Sequence, residues 1–153
     1  AHQPQKTAIL VDFDLRRPKV ASYLGIHTDK SINDYLSDQA EISDVMFNPG
    51  IERLVVMPTM RPVTKSAEVL SSNKVTTLIQ ELKNRYDSRI IIFDSPPVLN
   101  SDDAMVLLPQ VDCILLPNLK SKKLCTICQN IIYWESYLIK LKLKRKLIIT
   151  SMI

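Results

Sequence analysis

The chain has 153 residues, with 20 Lys or Arg against 16 Asp or Glu, a formal net charge of +4 and 46% apolar residues. That length accommodates one domain with a real core, and no apolar run approaches the roughly 20 residues that a membrane-spanning helix needs. The polar opening AHQPQK carries no secretory signal pattern, and three cysteines, an odd number, suit a reducing, cytoplasmic compartment better than a disulfide framework.

In chain order, the first apolar run is TAILVDF at 7–13. It is followed by SINDYLSD at 31–38, which reads as a short helix capped by Ser31. RLVVMP at 53–58 is the next strand-like run, and MRPVTKSAEVLSS after it suggests a loop and a helix starting at Ala67, with Ser66 as cap. Over 73–86, Val75, Leu78, Ile79 and Leu82 recur at helical spacing behind a cap at Asn73. RIIIFD at 89–94 and DCILLPN at 112–118 are again strand-like. Residues 121–138 predict a helix with Trp134 on its buried side, and 146–152, KLIITSM, a last strand. In LIKLKLKRKLIIT, Leu141 and Leu143 alternate with lysines, as in a half-exposed strand; a basic helix end followed by a turn and a strand from Leu147 is the preferred reading. Continuous β-branched runs are how strands buried on both faces of a parallel sheet read. Strands alternating with helices imply crossovers, hence an α/β, doubly wound, mostly parallel sheet with helices on both faces.

Two of these strands end in carboxylates. The first closes LVDFD and continues LRRP; the other closes IIIFD and continues SPP. In an open parallel sheet, ligands sit at the carboxyl ends of the strands, so Asp12, Asp14 and Asp94 fall on one edge. Acids gathered there suit a hard divalent cation and a phosphate substrate. Alternation along a strand puts Asp12 and Asp14 on one face and Phe13 on the other. Asp12 lies deeper, where desolvation favours a proton acceptor, and Asp14 lies at the mouth.

These residues carry a resemblance. AILVDFDLRRP resembles the second Walker-type motif, A-prime, of the bacterial tyrosine kinases, the cytoplasmic domains of capsule and exopolysaccharide chain-length regulators. RIIIFDSPPVLNSDDAMVL resembles their Walker B segment, and VDCILL after it also fits. The resemblance runs from about Thr7 to Leu116. It implies a P-loop NTPase-like fold with ATP and Mg2+ as cofactors of the complete domain. It implies Asp12 as the carboxylate that activates the attacking tyrosine hydroxyl, Asp14 as its partner near the metal, and Asp94 as the Walker B acid that holds magnesium. Arg16 and Arg17 are then candidates to stabilise phosphate charge or to pair with acids. The implied partners are a membrane adaptor of a polysaccharide export or polymerisation system and further copies of the chain in a ring-like homo-oligomer, at the inner face of the membrane. A partition-type ATPase and a degenerate, non-catalytic binding module of the same fold are the alternatives.

One part of the pattern is missing. The family uses a P-loop, G-x-x-x-x-G-K-[ST], whose backbone N–H groups cradle the phosphates. The only glycines are Gly25 and Gly50, and neither precedes a lysine. Residues 1–153 therefore read as one N-terminally incomplete domain, lacking the first strand and P-loop and binding neither cofactor tightly on its own. A Tyr-rich tail is also absent.

Other signals are weaker. Residues 119–147 carry eight Lys or Arg and one acid, Glu135. Aromatics there are limited to Tyr133, Trp134 and Tyr137, so a solvated basic face is preferred and no nucleic-acid partner is expected. Cys125 and Cys128 form a single CxxC inside the expected helix, short of the four ligands of a zinc site.

Overall fold

A computed structural model of the chain describes residues 7–85, 89–96, 102–116, 131–133 and 146–151. Its strands are β1 (Thr7–Asp12), β2 (Leu54–Met57), β3 (Arg89–Ser95), β4 (Cys113–Leu116), β5 (Ile131–Tyr133) and β6 (Lys146–Ser151). They form one sheet in the order β2-β1-β3-β6-β4-β5, and every pairing is parallel. The helices are α1 (Val20–Tyr23), α2 (Ile32–Leu36), α3 (Ser66–Leu70), α4 (Asn73–Arg85) and α5 (Asp102–Leu107).

Alternation along the strands divides the core between two faces. Ile9, Val11 and Phe13 join Met57, Ile91 and Phe93 in the larger cluster, which the helices cover with Leu70, Val75, Leu78, Ile79, Leu82, Ala104 and Leu107. On the other face Val56 packs with Val20, Ala21 and Ile26, and Leu10 and Leu54 lean against them. Helices thus lie on both sides of the sheet, as a doubly wound fold requires. The spacing of Val75, Leu78, Ile79 and Leu82 turns all four into the core, where each is fully buried; each contributes roughly 1.5–3 kcal/mol of transfer free energy.

The five expected strands are present, and Ser31 stands at the N-cap of α2. Four local expectations change. Asn73 is the first residue of α4, and Ser72 before it accepts the Val75 N–H at 3.4 Å. α3 starts at Ser66 rather than Ala67, with Lys65 at its N-cap and no side-chain cap bond. β1 stops at Asp12, so strand alternation does not extend to Asp14. The helix expected over 121–138 is contradicted at Ile131–Tyr133, which pairs with β4 as β5; the rest of that segment, the CxxC and most of the basic stretch lie outside the described residues. Among the described residues no helix is long and apolar enough to cross a membrane.

Candidate functional site

The chain moves from β1 to β2 on one side and then to β3 on the other, so the sheet order reverses between β1 and β3. That is the switch point of a doubly wound sheet, where the crevice outside the strand ends receives ligands. The register brings Asp12 beside Asp94 there, one step beyond Val11 beside Phe93.

Phe13 and Phe93 face the larger core and stack with ring centroids 4.9 Å apart at 26°. Asp12 and Asp94 have the opposite parity and face the α1 side. Asp12 is fully buried and Asp94 nearly so. Both oxygens of Asp12 accept backbone hydrogen bonds, from the Asp14 N–H at 3.2 Å and the Val20 N–H at 3.2 Å. The first closes a turn over Phe13, and the second ties the start of α1 to the strand end. Its main-chain carbonyl accepts the Thr59 hydroxyl at 2.7 Å, which joins the connection after β2 to the same point.

Burial, then the neighbouring charge of Asp94, pushes the Asp12 carboxyl up from an ordinary 3.8 to about 7, against the lowering effect of the two N–H bonds. An acid titrating near neutrality accepts a proton efficiently at physiological pH. It also makes the pair a site where a cation relieves repulsion.

Asp14 is half-buried and accepts the Arg17 N–H at 3.0 Å, a local turn bond. Arg17 is exposed. Arg16 turns away from Asp12: its Nε donates to Ser66 Oγ at 2.8 Å, its Nη2 to Asp103 Oδ1 at 3.4 Å, and it forms an ion pair with Asp103 at 3.0 Å. The structure thus joins Asp12 and Asp94, keeps Asp14 and Arg17 on the adjoining turn, and commits one edge of Arg16 to α3 and α5. Ser66 and Thr59 carry none of the motif signals; Asp103 lies within the acidic helix start of the Walker B-like stretch, but nothing local shows that it is buried against Arg16.

Among the described residues no group of three or more His, Cys, Asp or Glu side chains could hold a metal. Two carboxylates still fit magnesium, which keeps several waters and takes one or two acids together with substrate phosphates. The two carboxylates this structure sets side by side are Asp12 and Asp94, with Asp14 on the adjoining turn. Among the described residues no glycine-rich turn lies at this edge. Gly25 (φ +62°) and Gly50 (φ +79°) serve turns, and a Cβ on either would meet nothing within 4 Å. Gly25 follows α1, where only a left-handed residue lets the Ile26 N–H return to the Ala21 carbonyl at 2.8 Å.

The sheet order, with two carboxylates at its switch point, defines a doubly wound parallel α/β fold. The chain is similar over 105 residues to the tyrosine-protein kinase ptk of Acinetobacter johnsonii, at 27% identity, covering 69% of this chain and 14% of that protein. It is similar over 109 residues to the tyrosine-protein kinase CpsD of Streptococcus agalactiae, also at 27%, covering 71% and 47%. The chain therefore spans less than half the length of either. Among solved structures, the VpsO kinase domain matches with a TM-score of 0.72 at 21% identity, over 96% of this chain and 71% of that one. The cell division ATPase MinD of Pyrococcus furiosus matches with 0.54 at 23%, over 70% and 44%. No protein-family model matches the chain. The sequence likeness is thus to proteins named as tyrosine-protein kinases.

Proposed function

We propose that the chain forms the phosphoryl-transfer edge of a bacterial tyrosine-kinase domain acting in capsule or exopolysaccharide assembly. The observation that carries this reading is the buried Asp12–Asp94 pair at matching register on the two central motif strands. Curated relatives named as tyrosine-protein kinases support it. When bound, ATP–magnesium supplies the phosphoryl group and the positive charge that neutralises it. Asp12 accepts the proton of the attacking tyrosine hydroxyl, and its value near 7 suits that task. Asp94 and Asp14 would hold the metal, and Arg16 and Arg17 would offset phosphate charge. These 153 residues carry no G-x-x-x-x-G-K-[ST] loop, so the chain alone binds ATP weakly. The setting is the cytoplasmic face of the membrane, with a membrane adaptor as partner and further copies of the domain as neighbours.

The fold likeness to MinD favours a second reading, a partition-type ATPase. Incubating the whole gene product with magnesium and γ-labelled ATP, then mapping phosphotyrosine by mass spectrometry, separates the two. The kinase reading expects labelled tyrosine, abolished by Asp12→Asn with ATP–magnesium binding largely spared, whereas Asp14→Asn weakens both. ATP hydrolysis without phosphotyrosine would assign the partition-type cycle. Neither activity would leave a non-catalytic binding module.

A further inference from the structure

Arg16 sits in a closed arrangement of three side chains from three separate connections. Ser66, the first residue of α3, is fully buried, as is Asp103 in the first turn of α5. The Ser66 hydroxyl donates to Asp103 Oδ2 at 2.6 Å and accepts from Arg16 Nε at 2.8 Å. Arg16 Nη2 reaches the other oxygen, Oδ1, at 3.4 Å. A buried carboxylate without a cation would be costly, so Asp103 has a reason to hold the guanidinium in place. The holding uses only one edge of the fork. A guanidinium has five N–H donors, and these contacts occupy the Nε hydrogen and one on Nη2. The side chain remains 53% exposed, on the turn that follows Asp12 and Asp14.

We infer that Ser66 and Asp103 are positioning residues that present the outer edge of Arg16, Nη1 and the second Nη2 hydrogen, to a phosphate group at the carboxyl edge of the sheet. A planar fork fixed on one side loses little further side-chain entropy when it takes two anion oxygens on the other. Arg16 Nε and one Nη2 hydrogen are committed to Ser66 and Asp103 and not to the Asp12–Asp94 pair. The identity of the anion rests on the phosphoryl-transfer reading; the positioning of Arg16 does not.

The test is a proton–nitrogen NMR titration of the 153-residue chain with inorganic pyrophosphate, following the Arg16 Nε–H resonance. Pyrophosphate is expected to move that resonance in the parent. In Ser66→Ala the half-saturating concentration should rise about fivefold, the consequence of losing one hydrogen bond of ordinary strength. Ser66→Ala changes no charge, so attraction to a generally basic rim would leave the midpoint where it was. Asp103→Asn should weaken binding at least as much, and Arg16→Lys, followed through the Arg17 backbone amide in place of the lost Nε–H, should do the same because an ammonium keeps the charge without the fork. Should Asp103→Asn fail to fold, Ser66→Ala and Arg16→Lys carry the test. Equal half-saturation in parent and Ser66→Ala, or an Arg16 resonance that pyrophosphate never moves, would overturn the inference. A gene product that makes no phosphotyrosine would sink the kinase reading while leaving this titration intact.

Discussion

On the face that carries α3, α4 and α5, Phe13, just past the end of β1, stacks on Phe93 of β3. On the opposite face, which carries α1, the adjoining register position holds Asp12 beside Asp94. The same two strands, at the same depth, thus present an aromatic pair on one side and an acidic pair on the other. The aromatic side holds the strand ends together by burial. Against that support the acidic side keeps two carboxylates close, buried and mutually repelling. A charge pair of this kind persists only where surrounding structure over-determines it, which is characteristic of sites rather than of cores.

The comparison breaks most visibly on the aromatic side. Phe13→Ala should cost about 3–5 kcal/mol, the range for emptying a fully buried aromatic site, read from the urea midpoint. A loss below about 1 kcal/mol would mean that the stack does not support the acids.

The acidic side should show as pH dependence. The folded-state value of Asp12 is raised, so the protonated form is the one the fold favours. Stability from this group is complete below about 4, and is lost as pH rises through about 7. The rise corresponds to a loss of up to about 4 kcal/mol. Urea unfolding at pH 5 and pH 8 should show the parent weaker at pH 8, and Asp12→Asn should flatten the difference. A parent equally stable at both values would remove the strain attributed to the acid pair.

Smaller effects belong to the turn between the two faces. Ser66→Ala should cost about 1–2 kcal/mol, because Asp103 and Arg16 each lose a partner in a buried setting. Glu68→Gln, which breaks an exposed pair with Lys65, should leave the midpoint unchanged within error. An effect of Glu68→Gln as large as that of Ser66→Ala would remove the distinction between the buried cluster and the surface.

The acidic edge was legible because strand periodicity and motif chemistry agree there: apolar residues run up to a carboxylate, twice. The aromatic stack was half legible, since alternation gave the direction of Phe13 but nothing in the local pattern named Phe93 as its partner. β5 was not legible. Ile131–Tyr133 is only three residues long, and its apolar neighbours fall at spacings that also suit a helix. The place of β6 between β3 and β4 follows from pairing across the chain, on which local pattern is silent. Ser66 illustrates the same limit. A serine before an apolar run reads as a cap, but a buried acid 37 residues further on takes its hydroxyl instead.

On the proposed function, Asp12, buried beside Asp94, is a near-neutral acid that shares its site with a cation and a phosphate. Carbon-13 titration of the Asp12 carboxyl tests it most directly, first in buffer and then with magnesium and inorganic pyrophosphate together. A midpoint near 7 in buffer that moves downward when both are added is the predicted result. A midpoint near the ordinary 3.8, unmoved by either, would contradict it.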